Sequence, residues 1–251
     1  MDPATQAAAK RVHRRDHCSC LGPPLKQEVP RDLCLHADSQ NEDVAGWSHT
    51  LGLVRLSAAQ GAQVFEPSAH VPWDDWMKVV TLAEEIAELK TVQQVRLYGS
   101  HLRRLPPQIG RMAVLEELDI YTSYSLHWLP YEILRCSRLR KSRISTRALY
   151  GNRKTRLPFP ELSAPVEALI PPTCSVCDRP FGEVAPQLFW VTLRIATDTV
   201  PLLIHSCSRD CTLSVPAAPA NYFERPHKGG VGVGMPAEWH PMRGWNVALK
   251  L

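Results

Sequence analysis

Four cysteines in the C-terminal part of the chain have the spacing of metal ligands. Cys174 and Cys177 form a C-x2-C pair, Cys207 and Cys211 form a C-x3-C pair, and 29 residues separate the two pairs. Four thiolates suit the tetrahedral coordination of Zn²⁺ and leave no open position for a reacting water. The spacing therefore predicts a structural zinc site, with unligated buried thiols as the alternative.

Two predicted strands and a short helix would bring these pairs together. Apolar stretches at Leu188–Ala196 and Val200–Ser206 indicate a hairpin, and the polar residues between them indicate its turn. The CSRDC segment can begin a short helix that Pro216 ends. Residues four apart lie on one helix face, so Cys207 and Cys211 can reach the same ion.

A knuckle, a hairpin and a helix that carries the second ligand pair resemble the treble-clef zinc fingers, particularly the small FCSxxC-type modules. The resemblance covers Cys174 to Leu213, and Ser206 stands where the family usually has an aromatic residue. It implies a small α+β module that holds structural Zn²⁺ through the four cysteines. His205 is a second-rank ligand, because strand alternation points its side chain away from Cys207.

Three segments upstream share one pattern: LAEEIAELKTVQQVRLYGSHL, LPPQIGRMAVLEELDIYTSYSL and LPYEILRCSRLRKSRISTRAL. Their first leucines, Leu82, Leu105 and Leu129, are 23 and 24 residues apart. In each segment the apolar spacing is helical at first and then alternates, as at Val95 and Leu97. Each segment therefore predicts a helical turn and a short strand, and stacked copies would share a parallel sheet and one core.

These segments resemble the leucine-rich repeat family in the form LPxxIGxLxxLxxLxLxxNxL. The resemblance implies an α/β fold, a short solenoid with repeats at about 82–104, 105–128 and 129–152. Ser100 and Ser123 replace the asparagine of the family, and Ser142 replaces a leucine, which indicates a frayed or terminal third copy. From Trp73 to Pro226 the order of elements is similar to that of a group of bacterial leucine-rich repeat proteins, which implies an architecture and no particular activity.

The rest of the chain divides around these two units. The predicted divisions are a disordered tail at 1–45, the repeat domain with an N-terminal cap at 46–160, a Pro-rich linker at 161–172, the zinc module at 173–225 and a flexible extension at 226–251. In the cap, Leu51–Leu56 reads as a strand, and Trp73, Trp76 and Met77 can cover the first repeat. The tail contains five further candidate metal ligands, whose spacing matches no specific metal-binding signature: His17, Cys18, Cys20, Cys34 and His36. The alternative is a mobile segment whose cysteines are free thiols.

Composition predicts a cytoplasmic protein with reduced cysteines. The 251 residues are 44% hydrophobic, but no run of about 18 apolar residues predicts a membrane span. No apolar segment follows the basic N-terminal residues, so no secretory signal is expected. The net charge is only +4, yet Arg135–Arg156 contains nine basic residues and no acidic one, which raises the chance of an anionic partner.

Side chains between the buried strand residues are predicted to line one exposed face of the sheet. Arg96, Asp119 and Arg143 would form a row across neighbouring strands, with Tyr98 and Tyr121 beside it. Such a row is either a self-paired charge ladder or a recognition surface, since solenoids bind partners on this face.

These patterns favour one function, leave a second open and speak against a third. The first is a non-enzymatic scaffold that binds a protein partner through the repeats. The alternative is a nucleic-acid-binding protein that uses Arg135–Arg156 and the zinc module. An enzyme is not expected: no paired carboxylates, Ser-His-Asp arrangement or phosphate loop stands out, and Cys136 occupies a predicted core position.

Overall fold

The computed structural model of the chain describes residues 35, 39–152, 158–163, 169–230 and 233. Four predictions lie wholly or mostly outside these residues: the disordered tail at 1–45, its cysteine and histidine group, the basic residues Arg153, Lys154 and Arg156, and the flexible extension at 226–251. Within the described part, no helix is both long enough and apolar enough to cross a membrane.

Three α-helices and seven strands form the described part of the chain. In chain order they are α1 (Ala45–Ala59), β1 (Val64–Phe65), α2 (Trp73–Trp76), β2 (Gln94–Arg96), β3 (Glu117–Ile120), β4 (Leu129–Pro130), β5 (Lys141–Ile144), β6 (Gln187–Ile195), β7 (Asp198–Ser206) and α3 (Arg209–Leu213). Short 3-10 helices lie at Pro67–Ala69, Glu84–Glu88, Pro107–Arg111, Tyr131–Arg135 and Thr146–Ala148.

A four-stranded parallel sheet of order β1-β2-β3-β5 passes through the three similar segments. Val95 lies opposite Leu118, which lies opposite Ser142, so equivalent positions of the segments are in register. The predicted α/β class with a parallel sheet is therefore confirmed. The predicted helical turn before each strand is a 3-10 helix.

The same backbone change ends each of the three 3-10 helices. Leu89, Met112 and Cys136 all have φ between −84° and −72° and ψ between 62° and 74°. This conformation leaves the helical region and directs the chain toward the following strand. The side chains at equivalent positions are buried in one continuous core: Ile86, Ile109 and Ile133; Leu89, Met112 and Cys136; Val95 and Leu118; Leu97, Ile120 and Ile144.

Serines occupy the turn positions where the leucine-rich repeat pattern has asparagine. Ser123 Oγ accepts hydrogen bonds from the backbone N–H and the hydroxyl of Ser100, at 3.2 and 2.9 Å, and donates to the carbonyl of Leu97 at 2.8 Å. Both serines are buried. The pair thus satisfies backbone groups of the turn across neighbouring segments.

The N-terminal end of the sheet is covered differently from the prediction. Leu51–Leu56 is not a strand but lies inside helix α1. The buried face of α1 consists of Gly46, Thr50, Val54 and Ser57, which have helical spacing, whereas Leu56 is exposed. Trp76, expected as a cap, is 1% exposed, whereas Trp73 is 49% exposed.

The second sheet has the order β4-β7-β6 and contains the predicted hairpin. Strands β6 and β7 pair antiparallel along their whole length, and β4, from the third segment, pairs parallel with β7. One face of the hairpin joins the core of the first sheet through Val191, Leu193, Ile195, Val200, Leu202 and Ile204. The other face packs in an aromatic cluster with Trp128, Tyr150 and Phe159.

The hairpin turn closes the edge of the first sheet at Ser142. Ser142 Oγ donates to Asp198 Oδ2 at 2.7 Å, its N–H donates to Thr197 Oγ1 at 3.2 Å, and its carbonyl accepts from Thr197 Oγ1 at 2.8 Å. A leucine at this position would lack the hydroxyl that makes the first of these bonds. The departure from the repeat pattern thus marks where the hairpin binds the last strand.

The described part of the C-terminal extension is bonded to the hairpin. His227 and Trp190 exchange backbone hydrogen bonds of 2.8 and 3.0 Å, and Lys228 O accepts from Leu162 N at 2.8 Å. Gly229 has φ +73°, and a Cβ there would lie 2.0 Å from the carbonyl oxygen of Pro160. Glycine is therefore required where this segment passes Pro160.

Close stacking of the segments predicts opposite effects for two Gly→Ala substitutions. A Cβ on Gly110 would lie 2.4 Å from the carbonyl oxygen of Glu132 in the next segment, whereas nothing lies within 4 Å of one on Gly52. We expect Gly110→Ala to lower the free energy of unfolding by about 1–3 kcal/mol and Gly52→Ala, inside α1, to raise it by about 1 kcal/mol. Chemical denaturation measures both, and equal effects would contradict the stacking.

The contacts of Ser142 predict that Ser142→Ala lowers the free energy of unfolding by about 1–3 kcal/mol, because Asp198 and Thr197 lose a partly buried partner. The exposed Ser137→Ala is the matched control, with a change expected within about 0.5 kcal/mol. Equal denaturation midpoints for the two variants would show that the hairpin turn does not stabilise β5.

Candidate metal centre

The first cysteine pair lies in a tight loop before the hairpin. Cys174 N donates to Arg179 O at 2.8 Å, and Asp178 N donates to Cys174 O at 2.9 Å. Asp178 has φ +60°, the left-handed conformation that aspartate tolerates better than most residues. This reversal of the backbone turns Cys174 and Cys177 toward the same side.

The second pair lies where the hairpin ends and α3 begins. Strand β7 ends at Ser206, and the side chain of Ser208, the N-cap residue of α3, accepts a hydrogen bond from Cys211 N at 3.2 Å. The predicted short helix after the hairpin is therefore present. It places Cys211 one turn from Cys207.

The structure brings all four predicted sulfur ligands together. Their Sγ atoms all lie within 4.8 Å of one another, and Cys207 Sγ is 3.7 Å from both Cys177 Sγ and Cys211 Sγ. A disulfide would need about 2.05 Å, so these cysteines are free thiols. Metal–sulfur bonds of about 2.3 Å in a tetrahedron place sulfurs about 3.8 Å apart. The cluster therefore has the dimensions of a four-sulfur metal site.

The surroundings shift the pKa values of two of these thiols in opposite directions. Hydrogen bonds from Arg179 lower the pKa of Cys177 to about 6, whereas burial, followed by the neighbouring sulfurs, raises the pKa of Cys207 to about 12. Four sulfurs at this separation cannot all become thiolates without a cation among them, because like charges disfavour one another. A divalent ion supplies that charge, so metal binding would release protons.

Two other candidate groups lie outside the cluster. His205, considered as a competing ligand, is buried and paired through its backbone with Ser175, and burial lowers its pKa to about 4. Cys136 is buried, its Sγ donates to the carbonyl of Ile109 at 3.2 Å, and burial raises its pKa to about 12. Neither belongs to the group of four ligands.

Three charged residues contact or belong to the cysteine loop, and the sequence analysis did not predict this role for any of them. Asp178 Oδ1 accepts from Arg135 Nη1, and Asp178 Oδ2 lies near Arg111 Nη2, both at 2.9 Å. Partial burial raises the pKa of Asp178, but Thr173, Arg135 and Arg111 together hold it below its usual value. One sequence signal singles out the two arginines: each is the seventh residue of its segment, in LPPQIGR and LPYEILR.

The predicted row on the exposed face of the first sheet is in register. Arg96 lies opposite Asp119, which lies opposite Arg143. The rings of Tyr98 and Tyr121 are 6.0 Å apart, and the Arg143 guanidinium lies 4.6 Å from the centre of the Tyr121 ring. Arg96 pairs with Glu66 at 3.1 Å, and Arg143 pairs with Asp119 at 3.5 Å. The structure thus brings all five predicted partner-binding residues to one surface.

Acidic side chains in β3, or directly before it, pair with basic residues of the run. Arg140 pairs with Glu116, and Lys141 pairs with Glu117 at 3.1 Å. Arg135 is engaged at the cysteine loop. The local excess of positive charge is therefore smaller in three dimensions than along the sequence.

The chain matches no protein-family model and no curated protein sequence. Two features of its own residues point to a function: the all-sulfur cluster and the exposed row of the first sheet.

The sulfur cluster predicts about one divalent metal ion per purified chain. We expect Cys207→Ser to abolish metal binding, because Cys207 Sγ adjoins two of the other ligands. The same substitution at the buried non-ligand Cys136 is the matched control and should keep the ion. Elemental mass spectrometry measures the content, and a metal-free wild type or a metal-loaded Cys207→Ser protein would contradict the site.

Proposed function

We propose that the chain is a non-enzymatic protein-interaction scaffold, a short leucine-rich repeat solenoid closed at one end by a treble-clef-like zinc module. The observation that carries this proposal is the exposed row of charged and aromatic side chains that crosses β2, β3 and β5. Its five residues are Arg96, Tyr98, Asp119, Tyr121 and Arg143.

The solenoid assignment is supported by the regular register of the three similar segments. Each has a 3-10 helix before a parallel strand, and equivalent apolar residues share one core. A unit of this size cannot bury its apolar side alone, so neighbours must stack for stability. Membership of the leucine-rich repeat family is proposed on this architecture together with the LPxxIG-type pattern.

Zinc is the ion that the ligand chemistry favours. Cys174, Cys177, Cys207 and Cys211 offer four sulfurs and no carboxylate or imidazole, a donor set that excludes hard cations such as Mg²⁺ and Ca²⁺. When bound, zinc would supply folding free energy and no catalytic position. The knuckle, hairpin and short helix occur in the treble-clef order, and thiolate ligands fit a reducing compartment such as the cytoplasm.

The exposed row has the composition of a protein-binding surface. Tyr98 and Tyr121 are 50% and 39% exposed, and tyrosine and arginine are enriched among residues that dominate binding energy. Arg96 pairs with Glu66, and Arg143 pairs with Asp119 and lies over the Tyr121 ring, contacts that favour one orientation of each arginine before a partner arrives. Such preorganisation lowers the entropic cost of association.

Nucleic-acid binding by Arg135–Arg156 and the zinc module is the weaker candidate. Arg140, Lys141 and Arg143 each have an acidic partner, which lies directly before β3 for Arg140 and in β3 for Lys141 and Arg143. Phosphate contacts would have to compete with these ion pairs. Because surface ion pairs are worth only about 0–1 kcal/mol, these pairs would weaken nucleic-acid binding without excluding it.

The proposal predicts that the double variant Tyr98→Ala, Tyr121→Ala loses a protein that co-purifies with the wild type from the native cell. Its melting temperature should be nearly unchanged, since both rings lie on the surface. Tyr124→Ala, which truncates a tyrosine of similar exposure outside the row, is the matched control and should keep the partner. Quantitative mass spectrometry of the purified complexes compares the three proteins.

Equal recovery of every co-purifying protein by the double variant would contradict the role of this face. Salt-sensitive retention on immobilised DNA that Arg140→Glu, Lys141→Glu and Arg143→Glu abolish would instead support the nucleic-acid alternative. Counterion release makes such retention fall steeply with salt concentration.

A further inference from the structure

Asp178 lies at the point where the metal loop meets the stacked segments. It directly follows the ligand Cys177, and its carboxylate is held from three sides. Arg111 Nη2 lies 2.9 Å from Oδ2, while Arg135 Nη1 and Thr173 Oγ1 donate to Oδ1, each at 2.9 Å. The two arginines come from equivalent positions of the second and third segments, so one carboxylate connects both segments to the loop.

Arg135 also holds the backbone of the loop. Its Nη2 donates to the carbonyl oxygens of Cys174 and Ser175, at 3.2 and 2.9 Å. Its side chain is only 25% exposed. With Nη1 on Asp178, the guanidinium spans both ends of the Cys174–Asp178 loop, unlike an isolated surface ion pair.

A second set of contacts links the loop to the edge of the first sheet. Ser175 N donates to His205 O at 2.8 Å, and His205 N donates to Ser175 Oγ at 2.9 Å, which ties the loop to the end of β7. At its other end, β7 begins at Asp198, which accepts from Ser142 of β5. The metal loop and strand β5, which carries Arg143, are thus connected by consecutive contacts.

We propose that Asp178, Arg111 and Arg135 are positioning residues that link metal loading to the order of the second and third segments, so that the metal regulates the end of the exposed row. An ion that binds only the folded loop stabilises that loop. It thereby also stabilises the second and third segments, which contact the loop through Arg111 and Arg135. The inference rests on the proposed function in taking that row as a partner-binding surface. The linkage between metal binding and the order of the segments can be tested without a partner.

The test compares metal-loaded and chelator-stripped forms of the full chain by hydrogen–deuterium exchange. The variants are Asp178→Asn and Arg135→Gln, which leave all four cysteines intact. The matched control is Glu116→Gln, which removes the carboxylate of the Arg140 ion pair away from the loop. Competition with a chromogenic zinc chelator measures the metal affinity of each protein.

In the wild type, stripping the metal should speed exchange in peptides that cover residues 105–111 and 131–144. Asp178→Asn and Arg135→Gln should still bind about one zinc ion, with affinity lowered by about 10–100-fold, as for other residues that orient metal ligands. In these variants the exchange difference between loaded and stripped protein should be smaller at 105–111 and 131–144. Glu116→Gln should behave as the wild type.

Two results overturn the linkage while leaving the metal site standing. One is a metal-loaded wild type whose exchange at 105–111 and 131–144 does not change on stripping. The other is wild-type affinity and an undiminished exchange difference in both Asp178→Asn and Arg135→Gln. A wild type that binds no zinc removes the proposed zinc site and the linkage together.

Discussion

The apolar side of each strand and its 3-10 helix cannot be buried within one segment, and this constraint organises the structure. The segments meet it by stacking in register, so that Val95, Leu118 and their equivalents form one core. After stacking, only the apolar sides at the two ends of the stack still have to be covered. Helix α1 and Trp76 cover one end, and the β6–β7 hairpin covers the other by contributing Leu202 and its neighbours to the same core.

The hairpin covers that end more firmly if the chain before β6 and after β7 is held in place. The four sulfurs lie at these two positions. Cys174 and Cys177 precede the hairpin, and Cys207 and Cys211 follow it. An ion shared by the two pairs would therefore join its flanking segments across the end of the sheet. A bound ion would then support the proposed binding face without taking part in any reaction, because it would stabilise the strands that carry the exposed row.

Local patterns were enough to predict the parallel sheet, the hairpin, the short helix at Arg209–Leu213 and the cysteine cluster. The strands and the helix follow from residue spacing over short stretches of chain. The cysteine cluster follows from two cysteine pairs whose spacing is typical of ligands to a single metal ion. Leu51–Leu56 was wrongly predicted as a strand because a short apolar run fits a strand and a buried helix equally well, while the buried face of α1 is set by Gly46 and Thr50. The role of Ser142 and the contacts of Asp178 could not be predicted, because their partners lie 55 and 43 residues away.

The most direct test of the account is X-ray absorption spectroscopy at the zinc edge of the purified full chain. We expect four sulfur scatterers at about 2.3 Å and no nitrogen or oxygen ligand. A first shell that contains light atoms, fewer sulfurs, or no bound zinc at all would contradict the claim that one ion joins the two cysteine pairs.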